Sequence, residues 1–112
     1  MNRMDSTQIL TIYEEMARLT RHMLLAARAA DWDRLVTCEK ACAAQFALLF
    51  AGESDQPRDA AFQRRKAELI RGMLDDDAQV RRLADPWLAQ LSSLIGNTRQ
   101  QSRLHRTYSG TP

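Results

Sequence analysis

Proline, glycine and β-branched residues are scarce in this sequence of 112 residues, which contains only three Pro and four Gly. Few positions therefore interrupt a helix, and the abundant Ala, Leu, Arg and Gln favour helix over most of the chain. Hydrophobic residues make up 45% and charged residues 27%, an ordinary composition for one soluble domain of this length. The composition predicts an all-α fold.

Segments that direct a protein to or across a membrane are also lacking. The first eight residues do not have the basic-then-apolar layout of a secretion signal. The longest nearly apolar run, residues 41–52, is shorter than the roughly 20 residues that span a bilayer, and it contains Gln45. We therefore expect a cytosolic protein without a membrane span, in which Cys38 and Cys42 are reduced thiols.

Sequence motifs typical of catalysis or cofactor binding are missing. There is no glycine-rich phosphate loop, no GxSxG motif and no Glu-x-x-His pair of a di-iron bundle. Cys38 and Cys42 share a helix face, but a zinc site needs two further ligands, and His22 and His105 are isolated in the sequence. The sequence predicts a protein that is not an enzyme and has no cofactor or metal.

Two other functional classes are compatible with parts of the chain. A small helical mutase would need inward-facing Arg and Lys around one cavity, but the basic residues of the third helix lie mostly off its apolar stripe. A nucleic-acid-binding or regulatory protein is favoured by residues 64–66, by residues 81–82 and by the basic C-terminus. However, the acidic residues 75–77 on the same helix would repel phosphate, and a net charge of +2 is small. We expect no direct contact with nucleic acid.

Helix-start signals precede the first two predicted helices. Asp5 and Gln8 form a capping-box pattern, so the first helix should begin near residue 6, and Asp31 is a good N-cap for the second. The first helix carries a heptad-like apolar seam at Ile9, Ile12, Met16, Leu19, Met23 and Ala26. The seam of the second helix comprises Trp32, Leu35, Glu39, Cys42, Phe46 and Leu49. Because a charge in a seam is costly, Glu39 should pair, face water or contact a ligand.

The third predicted helix carries the widest apolar face. It should open near Pro57, run through the acidic residues 75–77 and end at Gly96-Asn97. At Asp85-Pro86 it should kink or restart, and the continuous phase of the apolar stripe favours a kink. Its main stripe comprises Leu69, Met73, Val80, Leu83, Trp87, Leu91 and Leu94. A second row comprises Ile70, Leu74, Ala84, Leu88 and Ile95. A face this wide must cover two elements or leave apolar surface for a partner.

These patterns predict an antiparallel bundle of three to four helices with a long third helix and a short C-terminal appendage. We expect the bundle to comprise residues 1–97. Residues 98–112 should form a basic tail or a short helix, since Leu104 and Tyr108 are the only apolar anchors there.

Three segments of the sequence, at residues 32–40, at residues 69–95 and at Leu104 with Tyr108, resemble the FliT-type family of flagellar export chaperones. The sequence WDRLVTCEK at residues 32–40 is similar to that family's element of Trp, two residues, Leu, three residues and Glu. Residues 69–95 resemble its third helix, and Leu104 with Tyr108 resembles its C-terminal Leu-x-x-aromatic ending. The FlgN-type chaperones of hook-junction proteins, which are also coiled bundles, are the alternative family.

The resemblance implies a cytoplasmic chaperone that binds the filament-cap protein FliD before its secretion. Such a protein delivers its cargo to the flagellar type III export apparatus by contacting the export ATPase complex or the export gate. Some members of the family also bind the flagellar master transcription regulator and inhibit it, so negative regulation is a further expectation.

An export cargo has a disordered terminal segment, and an apolar groove can fold such a segment as an amphipathic helix. Within the third helix we expect the cargo-binding groove at Ile70, Met73, Leu74, Asp77 and Arg81. In this prediction the apolar members anchor the cargo, and the two charged members set its register. Met73 also belongs to the main stripe, and the core is an equal alternative for Ile70 and Leu74. We expect Leu104 and Tyr108 to cover the groove when cargo is absent.

Overall fold

The computed structural model describes residues 4–52 and 58–108, with side chains up to residue 96. Within these ranges the regular secondary structure consists of three α-helices: α1 (Ser6–Arg28), α2 (Trp32–Gly52) and α3 (Ala60–Tyr108). The all-α fold with a long third helix is as the sequence predicted. The chain divides into two compact units, residues 1–81 and 82–112. The separate predicted boundary between residues 97 and 98 stays a prediction.

Helix α1 begins with the predicted capping box. The Asp5 carboxylate accepts a hydrogen bond from the Gln8 backbone N–H at 2.8 Å, and the Gln8 side chain accepts one from the Asp5 N–H at 2.9 Å. Two N–H groups that the helix cannot satisfy internally are thereby paired. The capping box fixes the start of α1 at Ser6.

We expect Asp5→Ala to lower the free energy of unfolding by about 1 kcal/mol, because the exposed N–H of Gln8 loses its acceptor. Asp5→Asn is the matched control, since Asn caps a helix as well as Asp does and should retain most of the stability. Urea unfolding followed by circular dichroism measures both variants. An equal loss in both would mean that the carboxylate charge, rather than the cap, stabilises this end of α1.

The turn between α1 and α2 is short and tightly bonded. Ala30 adopts a left-handed conformation with φ 55°, which ends α1. The Asp31 carboxylate then accepts a hydrogen bond from the Arg34 N–H at 3.2 Å, as predicted for the N-cap of α2. A turn of this length makes α1 and α2 antiparallel neighbours.

Helix α1 is the central element of the unit formed by residues 1–81. It contributes nine buried residues, whereas α2 buries only Leu35 and Leu49. One core cluster joins the start of α1 to the end of α2 and the start of α3; its members are Ile9, Tyr13, Met16, Leu49, Phe62 and Leu69. A second cluster joins the end of α1 to the start of α2 and to α3; its members are Met23, Leu24, Ala26, Ala27, Leu35 and Val80. The chain therefore runs up, down and up, with α2 antiparallel to both neighbours.

One expectation about α3 was wrong. The helix does not end at Gly96-Asn97 but continues to Tyr108, since a glycine inside a helix costs only about 1 kcal/mol and helix formers follow it. The helix begins at Ala60, close to the predicted start near Pro57, and the Asp59 carboxylate caps it by accepting a hydrogen bond from the Phe62 N–H at 2.8 Å. Pro86 lies inside the helix, and the kink that the sequence favours there stays a prediction.

The unit formed by residues 82–112 exposes the apolar stripe of α3. Its large apolar side chains are between 38% and 63% exposed: Leu83, Trp87, Leu88, Leu91, Leu94 and Ile95. The predicted surplus of apolar surface is therefore present in this part of α3.

Helix α2 is also unusually apolar for its exposure. By length and composition alone, α2 is long and apolar enough to cross a membrane. The sequence had predicted no membrane span, because the nearly apolar run at residues 41–52 is shorter than a bilayer requires. Leu35 and Leu49 nevertheless pack into the two core clusters on α1. Helix α2 is therefore a bundle helix that presents much of its apolar surface outward.

Candidate functional site

An open groove of about 370 Å³ lies where α1, α2 and the first part of α3 meet. The buried side chains of Met16, Thr20 and Met23 on α1 form its floor. One wall comes from α2 and comprises Glu39, Cys42, Ala43 and Phe46. The opposite wall comes from α3 and comprises Met73, Leu74 and Asp77. All of these residues belong to the unit formed by residues 1–81.

The rim of the groove consists of large apolar side chains that remain in water. Phe46 is 56% exposed on the α2 side, and Leu74 is 64% exposed on the α3 side. Covering such side chains with another apolar surface is favourable by roughly 25 cal/mol per Å² removed from water. The groove thus offers a partner two anchors, the aromatic side chain of Phe46 and the aliphatic side chain of Leu74.

Three of the five methionines in the sequence line the groove: Met16, Met23 and Met73. Methionine is unbranched and polarisable, so its side chain adapts to ligand surfaces of different shape. Methionine-rich surfaces are typical of proteins that bind apolar helical segments. The lining is therefore suited to a partner whose side chains vary.

The bottom of the groove is uncharged. The Thr20 hydroxyl donates a hydrogen bond to the Met16 carbonyl at 2.8 Å, and the Cys42 Sγ lies 4.0 Å from the Thr20 Oγ1. Burial raises the pKa of the Cys42 thiol against the lowering effect of its contact with Thr20, and the carboxylates of Asp77 and Glu39 raise it further. Cys42 therefore remains a neutral thiol, and no thiolate charge lies where the α2 wall contacts the floor at Thr20.

Negative charge is confined to the two walls. Glu39 stands on α2 and Asp77 on α3, and both carboxylates act electrostatically on the Cys42 thiol. Asp77 Oδ2 forms an ion pair with Arg81 Nε at 2.9 Å. That pair is largely exposed to water, so it contributes little to stability.

The structure brings together three of the five residues that the sequence predicted for a groove. Met73, Leu74 and Asp77 line it, whereas Ile70 is partly buried against the first core cluster. Arg81 is exposed and reaches the groove only through its ion pair with Asp77. The side chains of Leu104 and Tyr108 lie outside the described part of the structure. The cargo-binding role of all these residues stays a prediction.

The α2 wall and the α1 floor were not among the predicted site residues. The second-helix seam had suggested that Cys42 and Phe46 pack inward. Cys42 is partly buried against the first core cluster, whereas Phe46 is 56% exposed and lines the groove. The signal that pointed to the wall was Glu39, a carboxylate in the middle of an otherwise apolar stripe. Glu39 is exposed and lines the groove, so the apolar stripe of α2 faces the groove at this point.

The side chains needed for a metal centre do not come together in the described residues. No group of three or more His, Cys, Asp or Glu side chains converges there. Cys38 packs against the second core cluster, and Cys42 against the first.

Comparison with known proteins gives a consistent result. The family model described as flagellar protein FliT matches residues 10–110. A flagellar protein FliT of Yersinia pseudotuberculosis serotype O:3 is 28% identical over 93% of this chain and 87% of its own length. One of Photorhabdus laumondii is 25% identical over 99% of this chain and 86% of its own length. The crystal structure of flagellar protein FliT from Bordetella bronchiseptica matches with a TM-score of 0.70 and 38% identity, over 77% of this chain and 97% of that one.

Proposed function

Because this chain belongs to the FliT family of flagellar proteins, we propose that it is a cytoplasmic type III export chaperone that binds the filament-cap protein FliD. The observation that carries the proposal is the open apolar groove between α2 and α3. Its rim side chains Phe46 and Leu74 are exposed to water, and they stand above a floor of buried α1 side chains. The role is binding rather than catalysis.

The cargo binds as an amphipathic helix. A disordered C-terminal segment of the cap protein folds when its apolar face covers Phe46, Met73 and Leu74, and burial of that face offsets the cost of ordering the segment. Ile70, partly buried beside this wall, supports the position of Met73 and Leu74. Arg81 fixes the Asp77 carboxylate at the end of the groove. Binding also keeps an aggregation-prone end of the cargo out of solution before export.

The proposal includes two further partners. The loaded chaperone delivers its cargo to the export ATPase complex or the export gate. A related role is inhibition of the flagellar master transcription regulator, which would couple the supply of cargo to gene expression. Both are proposed by analogy with the family to which the chain belongs, and the groove itself does not bear on them.

The proposal is tested by capture with purified components. The full chain is immobilised and offered, in separate experiments, FliD from the same bacterium, FliD without its C-terminal segment, the hook-junction proteins and double-stranded DNA. We expect retention of full-length FliD only. Passage of full-length FliD through the column would overturn the proposal. Retention of the junction proteins in its place would favour the FlgN-type function, and retention of DNA a regulatory one.

The C-terminal residues 98–112 are proposed to compete with cargo through Leu104 and Tyr108. Deleting these residues is expected to leave the affinity for the cap protein's C-terminal segment unchanged or to increase it, since the deletion removes a competitor and no groove residue. Titration calorimetry with the full and shortened chains measures the effect. Loss of binding in the shortened chain would show that the tail is itself part of the cargo site.

A further inference from the structure

The groove combines an apolar lining with negative charge and contains no cation to match it. Its charged lining residues are Glu39 and Asp77, and neither Lys nor Arg lines it. The two carboxylates are not equivalent. Asp77 is paired with Arg81 at 2.9 Å, whereas Glu39 has no ion-pair partner among the residues that the structure describes.

The Glu39 carboxylate carries no desolvation cost while the groove is open, because water solvates it. The situation changes when a partner covers the groove. A purely apolar helix lying across Phe46 and Leu74 would remove water from Glu39 without giving it a partner, and an unpaired carboxylate out of water is costly. A Lys or Arg in the partner would remove that cost and cover apolar surface with its aliphatic stem.

We propose that Glu39 selects cargo segments that carry a Lys or Arg within their apolar face. The occupant is thus an amphipathic helix with one cation set among the apolar residues that contact Phe46, Met73 and Leu74. Asp77 has a weaker effect on the choice, since Arg81 already compensates its charge. This inference rests on the proposed cargo-binding function, and it adds the chemical class of the segment that the groove accepts.

The inference is tested with three synthetic helical peptides of about five turns. They share one apolar stripe and differ at a single central position of that stripe, which is Lys, Gln or Glu. Fluorescence anisotropy titrations with the full chain measure their affinities at low and high ionic strength. The cap protein's C-terminal segment is titrated in parallel.

The expected order of affinity is Lys, then Gln, then Glu, with about a three- to tenfold preference for Lys over Gln at low ionic strength. Glu39→Gln should abolish the preference for Lys, and Asp77→Asn should reduce it less. Glu14→Gln is the matched control, because Glu14 is an exposed carboxylate on α1 that does not line the groove. It should leave the order unchanged. Melting temperatures of the variants report whether each one is folded.

Equal affinity for the three peptides would overturn the role of Glu39, and so would a preference for Lys that survives in Glu39→Gln. These outcomes are distinct from failure of the proposed function. If the peptides follow the expected order and the cap protein's segment does not bind, the chemistry of the groove stands and the cargo is another protein. If the segment binds and the peptides do not differ, the cargo assignment stands and Glu39 does not select it.

Discussion

Leu74→Asp is expected to abolish capture of the cap protein's C-terminal segment and to leave the helical content and melting temperature unchanged. Leu74 is 64% exposed and lies on the rim of the groove, so the folded chain loses little when it is replaced. In the complex, however, the new carboxylate would be buried against the apolar side of the bound helix, and the Lys or Arg of that helix is already paired with Glu39. Loss of a central anchor of this kind costs about 2–4 kcal/mol, which is a thirtyfold or greater loss of affinity.

Leu48→Asp is the matched control for this experiment. Leu48 is 53% exposed on α2 and does not line the groove. The same change of chemistry at a similar exposure should leave capture intact. Full-strength capture by a well-folded Leu74→Asp variant would remove the α3 wall from the binding site. Ile70→Asp also tests that wall, but Ile70 packs against the first core cluster, so a lower melting temperature is expected as well.

Leu24→Ala is expected to give the largest loss of stability among the single substitutions considered. The Leu24 side chain is 0% exposed and belongs to the second core cluster, where α1 meets both other helices. Removing it leaves a cavity that the surrounding helices fill only in part. Such substitutions cost about 2–5 kcal/mol, a large fraction of the total stability of a small domain.

The neighbouring residue provides the control. Leu25 is 50% exposed, so Leu25→Ala should change the free energy of unfolding by less than about 1 kcal/mol. Urea unfolding followed by circular dichroism compares the two variants, with the denaturant slope showing whether both unfold in the same way. Equal losses in the two variants would contradict the position of α1 between α2 and α3.

The first helix could be predicted from local sequence because its signals agree with one another. The Asp5–Gln8 capping box gives its start, and the apolar seam that includes Ile9, Met16 and Met23 gives its buried face. Asp31 similarly gives the start of α2. Short-range chemistry determines each of these features, so no knowledge of the tertiary structure is needed.

The ends of α3 could not be predicted as well. The sequence placed the start only near Pro57, and the hydrogen bond from the Phe62 N–H to the Asp59 carboxylate shows that Asp59 caps the helix that begins at Ala60. Gly96 resembles a helix end, but the preference of glycine for such positions is weak enough for the residues on both sides to override it. Pro86 lies inside the helix for a related reason, since the apolar stripe continues on both sides of it.

The candidate groove was predictable in part. Periodicity placed Met73, Leu74 and Asp77 on one face of α3, and the surplus of apolar residues suggested that part of that face is open. The opposite wall depends on how α2 is rotated against α1, which the seam of α2 does not determine. Leu35 and Leu49 of that seam are buried, whereas Phe46 between them is 56% exposed and faces the groove.

Methyl nuclear magnetic resonance of the methionines tests the central claim most directly. The full chain is labelled at the methionine methyl groups and titrated with the cap protein's C-terminal segment. Met16, Met23 and Met73 line the groove, while Met4 packs against the first core cluster and does not. We predict that the signals of the three groove methionines shift in proportion to the bound fraction and that the signal of Met4 stays in place. Saturated binding that leaves those three signals unmoved would show that cargo is held elsewhere on the chain.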